Sequence, residues 1–325
     1  MNDSNGGHDR PAAPAPDRIM VHTFVTANYL AWGELFLESF RRHHGEGIRI
    51  RIDGRDLSPD DIALLRGVYG NLEVHNEHVD WDAVARELDV DRATVDRWRT
   101  QISRGDVDET NFRIKLFLSV AQRYRSMDRV LRSAREAGYD YVLHSDADVY
   151  FRQPLDGLFG LMAEHDVVLF QRPTKKRHAM KVWGGFLGFR TRPNLDTFLD
   201  RWMGHIDAVP APERWKGFGQ SVLWFAIQDS DDLAIGDLSG LPDAPGYSKE
   251  FDTSAALWLG NSSLVGPTKV ITRRRFWDDL KGGLPRIPLE RVTLSDWWGT
   301  FMVLAGLALQ TRWQRLCRLL PGTGS

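Results

Sequence analysis

The stretch Tyr141 to Phe151 most limits what this chain can fold into. Tyr141-Val142-Leu143-His144-Ser145 suits a buried strand and runs into Asp146-Ala147-Asp148, two aspartates one residue apart. Val149-Tyr150-Phe151 is a second short apolar run, closed by Arg152-Gln153-Pro154-Leu155. Strand side chains alternate between faces, so residues two apart point the same way. Asp146 and Asp148 can therefore share one side of a strand end. Two adjacent carboxylates raise the energy of each other's charged form. A divalent cation removes that cost, and hard Mg2+ or Mn2+ prefers oxygen ligands. Asp-x-Asp also occurs as a solvated turn or helix cap. The apolar strand before the pair, and the Phe-x-x-Pro-Leu and Gly-rich strand after it, favour a metal site.

The surrounding chain alternates strands with helices. Arg18 to Val25 reads as a first strand, with Thr26-Ala27-Asn28-Tyr29 as the turn out of it. Leu30 to His44 carries Leu35, Phe36 and Phe40 at helical spacing. Ile48 to Ile52 alternates as a second strand and ends in Asp53-Gly54, a pair that also suits a hairpin turn. Ser58-Pro59-Asp60-Asp61 is a helix start, and Leu72-Glu73-Val74 is a third short strand. A helix over Asn111 to Ala137 leads into the aspartate strand. Strands at Asp166–Gln171 and Trp183–Arg190 follow, then helices at Asn194–Ile206 and Gly219–Gln228. This order predicts an α/β fold with a mixed, mostly parallel sheet flanked by helices. Ligands of such sheets bind at the carboxyl ends of the strands, where Asn28, Asp53 and Asp146 fall.

Composition narrows the function. A chain of 325 residues with 42% hydrophobic and 26% charged residues is long enough for a sizeable core. The net charge of -2 makes no electrostatic case for nucleic acid. Cys317 is the one cysteine, so neither an intramolecular disulfide nor a cysteine-based zinc site is expected. Residues 1–17 are polar, rich in Pro, Ala and Gly, and lack the apolar centre of a signal peptide, so a disordered tail on a cytoplasmic protein is expected. Most of the 12 tryptophans should be core, although Trp183, Trp215 and Trp224 are expected near the candidate site, where one or two could line a ligand subsite.

These residues resemble the GT-A class of nucleotide-sugar-dependent glycosyltransferases over roughly 18–270, most closely the family-eight-like retaining galactosyl- and glucosyltransferases. The resemblance implies a Rossmann-like nucleotide-diphospho-sugar fold. Thr26, Ala27, Asn28 and Tyr29 match the nucleotide-binding turn. Asn111-x-x-x-Lys115 resembles the helix whose basic residue lies near the donor. Asp146-Ala147-Asp148 matches the metal motif, with Ser145 beside it, and Gly184 to Phe189 the strand beside sugar and acceptor. Gly266-Pro267-Thr268-Lys269 is similar to a late loop that holds the diphosphate. The resemblance thus implies a nucleotide-sugar donor, a UDP-sugar before others, and Mn2+ or Mg2+ on Asp146 and Asp148. Lys115 and Lys269 would neutralise the diphosphate, and Gln220 and Gly185 would border the transferred sugar. Asp53 could hold the nucleoside. The acceptor is a glycan, a lipid-linked sugar or a small molecule.

Three positions depart from the family pattern. Ser263 stands where a histidine ligand is usual, Gly219 precedes Gln220 in place of aspartate, and Gly184 replaces Asn or Asp. Ser263 or water is then expected to complete the metal shell. The departures also keep open a non-catalytic nucleotide-sugar or glycan-binding relative.

Two further features need a place. Val84 to Trp98, inside a helical insertion at about 79–104, has the spacing of a helix-turn-helix. From Trp81 to Arg99 it holds Asp82, Glu87, Asp89, Asp91 and Asp96 against Arg86, Arg92, Arg97 and Arg99, a balance of -1 that does not suit a phosphate backbone. An insertion covering the site or the acceptor fits better. In the extension 271–325, Trp298 to Leu309 is apolar and too short to span a bilayer, which needs about 20 residues. Arg312, Arg315 and Arg318 follow, interleaved with Trp313, Leu316, Leu319 and Leu320. A helix packed on the domain and a peripheral helix in a membrane interface both account for it.

Overall fold

Alternation along single strands divides the molecule into two apolar layers. On β1 (Ile19–Thr26), Ile19, Val21 and Val25 point into one core and Met20 into the other. On β4 (Tyr141–Asp146), Tyr141 and Leu143 join the first core and Val142 the second. Both faces of these strands are buried, which is the requirement of a sheet covered by helices on both sides.

The computed structural model describes residues 14–103, 123–215, 217–241, 246–247, 255–259, 267–280 and 285–287. Its central sheet has seven strands in the order β3-β2-β1-β4-β7-β6-β8. The further strands are β2 (Arg49–Arg55), β3 (Leu72–Glu77), β6 (Val167–Gln171), β7 (Val182–Arg190) and β8 (Ile235–Asp237). β3, β2, β1 and β4 run parallel, as do β6 and β8; β7 is antiparallel to both neighbours. The mostly parallel α/β sheet is therefore as expected. A small second sheet joins β5 (Val149–Phe151) to β10 (Leu257–Leu259) and β9 (Gly246–Tyr247).

One face is covered by α1 (Leu30–His44), α2 (Pro59–Val68) and α6 (Asp156–Glu164). The other is covered by α5 (Arg123–Glu136), α7 (Asn194–Asp207) and α8 (Phe218–Gln228). Local chemistry sets the helix ends. Ser58 accepts from the Asp61 amide while the Asp61 carboxylate accepts from the Ser58 amide, a reciprocal cap with Pro59 behind it. α1 stops at Gly45, whose φ of 64° favours glycine.

One expectation changes, and four elements are additional to those expected. Asp53-Gly54 is not a hairpin turn: both residues pair in parallel on either side of β2, which runs on to Arg55. Helix α6 and strands β8, β9 and β10 did not stand out in the sequence. The helix-turn-helix spacing does correspond to α3 (Trp81–Leu88) and α4 (Arg92–Ser103), joined through Asp89 in a left-handed conformation. Val84, Ala85, Leu88 and Val95 bury against one another with Ala211 at their edge. Arg92 is held by Asp82 and Asp96, so its charge is answered within the pair. Residues 288–325 lie outside the described residues, and with them the expected interfacial helix; no described helix is long and apolar enough to cross a membrane.

Phe36 joins α1 to the small sheet, fully buried and edge-on to Phe151 at 5.2 Å. Phe36→Ala should lower stability by about 3–5 kcal/mol, read as a shifted urea midpoint with an unchanged slope.

Candidate functional site

Asp146 closes β4, and its register fixes its surroundings. Asp146 and Asp53 both align with Phe24 of β1, so the two carboxylates flank the carboxyl end of the first strand. Asp146, like His144 and Val142, points to the α5 side of the sheet. There Arg123 of α5 donates from Nη1 to Asp146 Oδ1 at 2.5 Å and from Nη2 to Tyr124 Oη at 3.0 Å. Burial pushes the Asp146 carboxyl up, and the Arg123 guanidinium pulls it back. Its side chain keeps 26% exposure, enough to meet a ligand.

The other Asp146 oxygen, Oδ2, lies against Gly185. A methyl group at 185 would overlap both that oxygen and the Trp183 ring, so the close approach depends on glycine. Gly184 sits beside Tyr124 Oη and Gln220, the latter in the first turn of α8. Asp148 is buried between β4 and β5. Tyr29 reports where the pair faces: burial first, then Asp148 and Asp146, raise its phenol above the ordinary range. The turn after β1, Thr26 to Tyr29, leaves the sheet at the same edge as Asp146.

Two neighbouring carboxylates suit a Mg2+-type cation, which takes one or two protein carboxylates and fills its other positions with phosphates and water. No group of three His, Cys, Asp or Glu that could hold a metal occurs among the described residues. Asp146 Oδ2 and Asp148 fit that kind of open site. Arg123 already meets the remaining Asp146 oxygen.

Beneath this edge a polar row crosses three strands. His22 and His144 are fully buried with their Nδ1 atoms 3.0 Å apart, so one must carry the shared proton. Burial, then the charges of His22 and Arg123, holds His144 well below its ordinary pKa. Asp53 is 2% exposed and accepts from Ser126 Oγ and from Arg51 Nε, the latter at 3.0 Å; His22 Nε2 stands 3.8 Å away. Burial opposes the Asp53 carboxylate, but the His22 and Arg51 contacts outweigh it and hold its pKa at about 2.

The structure therefore gathers Tyr29, Asp146, Asp148, Gly185 and Gln220 of the expected residues, with Thr26 and Ala27 on the same turn. Ser145 is buried and donates to the Asp146 carbonyl. Lys115, Ser263 and Gly266 lie outside the described residues, as do the side chains of Asn28 and of Lys269, which falls in α9 (Pro267–Asp279). Arg123 was not singled out in the sequence; it meets Asp146 across 23 positions, and no local pattern joins the two.

No protein-family model matches this chain, and no curated protein is similar to it in sequence. Solved structures with a similar chain path include the glycosyltransferase GlyE of Streptococcus pneumoniae TIGR4, at 11% identity over 82% of this chain and TM-score 0.45. The galactosyltransferase LgtC, solved with donor and acceptor sugar analogs, gives 12% over 82% and 0.47. WbbM, a bifunctional glycosyltransferase, gives 11% over 81% and 0.48. The match covers 61% of the GlyE chain, 98% of LgtC and 50% of WbbM. At TM-scores below 0.5 these likenesses assign no activity.

A depressed pKa stabilises the fold above the unfolded value and is lost as pH falls through the folded one. The Asp53 contribution, about 2 kcal/mol for this shift, should therefore disappear between about pH 4 and pH 2. Asp53→Asn should flatten that part of a stability-against-pH curve measured by chemical denaturation.

Proposed function

We propose that this chain is a GT-A-type glycosyltransferase that moves a sugar from a nucleotide-diphosphate donor to an acceptor, with Mn2+ or Mg2+. The observation carrying this reading is the convergence of Asp146, Asp148, Tyr29, Gly185 and Arg123 at the carboxyl edge of the sheet. That edge is where open α/β sheets bind their ligands.

Breaking a glycosidic bond to a diphosphate leaves charge that must be neutralised. Asp146 and Asp148 would hold the metal, which when bound supplies positive charge to the leaving diphosphate. Arg123 contributes a fixed guanidinium beside them that is already oriented by Asp146 and Tyr124. The aspartates act as ligands and take no part in proton transfer. Tyr29, kept neutral, offers its hydroxyl at the same edge. The missing Cβ of Gly185 lets the chain lie against Asp146 Oδ2 and the Trp183 ring, and Gln220 can hydrogen-bond sugar hydroxyls from the start of α8. Lys269, Gly266 and Lys115 are assigned to the diphosphate, and Ser263 to the metal shell, by resemblance alone.

Calorimetric titration with UDP and GDP, with and without Mn2+, tests the reading. Binding of one nucleotide that requires metal is the expected result; no binding under any metal condition would end it. Asp148→Asn should reduce turnover by about 10^2–10^3 while leaving the unfolding midpoint near wild type. Full activity of wild type in excess chelator would remove the metal from the scheme.

A further inference from the structure

We infer that the acceptor, on the transferase reading above, is an anionic glycan bound across the β6–β7 connection and the segment before α8. Residues 172–181 join β6 to β7, and because Ser145 aligns with Phe186 this connection emerges at the Asp146 end of the sheet. It carries Arg172, Lys175, Lys176, Arg177 and Lys181, and the chain holds no acid between Asp166 and Asp196. Lys175, Lys176 and Arg177 are exposed and form no ion pair with any described residue.

The connection is built, not loose. The Arg172 amide donates to the Lys181 carbonyl at 2.6 Å, the Lys175 amide to Arg172 at 3.1 Å, and the Met180 amide to Arg177 at 2.9 Å. Lys181 Nζ lies 4.7 Å from the centre of the Trp224 ring, and His178 meets Phe225 edge-on. Ala179 packs on Gly217, whose φ of 84° turns the chain into α8. That contact brings the connection to the residue two places after Trp215 in the chain.

Trp215 and Met180 are the large apolar side chains left exposed among the described residues, at 48% and 43%. Phe218 supports the Trp215 ring edge-on at 5.1 Å. A supported, half-exposed indole is a platform for a sugar ring, and its unpaired lysine and arginine neighbours call for negative groups on that sugar. Of the flanking acids, Asp237 is occupied by the Gln171 amide and by Ser239, and Glu213 forms no ion pair with the cluster. The insertion meets the same side, since Ala211 packs on the α3–α4 core. A lipid surface fits less well. Interfacial anchoring takes a continuous apolar face, and here two side chains flank the cations.

The test titrates the full chain at physiological salt with hexagalacturonate, with pentamannose phosphate and with uncharged cellohexaose. Flotation on vesicles of phosphatidylglycerol in phosphatidylcholine runs in parallel. Binding of either anionic oligosaccharide but not cellohexaose is expected, and the two arms separate carboxylate from phosphate. The triple variant Lys175→Ala, Lys176→Ala, Arg177→Ala should weaken it about tenfold. Trp215→Ala should weaken it as well, whereas Arg18→Ala, Arg41→Ala, Arg66→Ala, an equal charge change elsewhere, should not. Equal binding of cellohexaose, an unaffected triple variant, or retention on anionic vesicles alone would overturn the inference. Nucleotide titration of the same variants should match wild type. A wild type that binds anionic glycan through this surface yet binds no nucleotide would sink the transferase reading and leave the surface standing.

Discussion

A guanidinium meeting a carboxylate at the end of the central strand governs the rest of this molecule's candidate chemistry. Burial drives the Asp146 carboxyl toward its neutral form, and Arg123 works against that drive. The contact leaves one carboxylate oxygen engaged and the other turned to a glycine. The direction of a single side chain is thus set by a guanidinium on one flank and a missing Cβ on the other.

How much of this could be read from residues alone depended on pattern length. β1, α1 and the body of β4 carry enough apolar periodicity to specify both type and extent, and the Ser58 cap gave the start of α2. β8 and β10 have three residues each and β9 two, too few for alternation to show. Asp53-Gly54 has turn chemistry, but pairing with strands on both sides overrode that local preference. The aspartate pair was legible because it interrupts an apolar run. Arg123 was not, because its partner lies 23 residues away and no local pattern joins the two. The helix-turn-helix shows the reverse: its geometry was legible and its usual function does not follow, since Arg92 is already answered by Asp82 and Asp96.

The buried row of Asp53, His22 and His144 breaks the rule that central parallel strands carry apolar side chains on both faces. It lies on the α5 side, where Ser126 and Arg51 complete the bonding of Asp53. The row ties β2, β1 and β4 together under the edge that holds Asp146. It therefore binds the positions of the strand ends to one another through polar contacts, which specify distance more sharply than apolar packing does.

One strand in the central sheet runs the wrong way. Because β7 reverses between β4 and β6, the link from β6 to β7 is a return loop at the aspartate edge instead of a crossover behind the sheet. A crossover is pinned to the sheet face by its helix; this return loop packs instead on Gly217 and Phe225, at the edge of the sheet. Its length and charge can be exchanged without moving β1, β4 or the carboxylates. The reversal makes the molecule modular at its working end, with a fixed half that holds the aspartates and a replaceable rim that can be recut for a different guest.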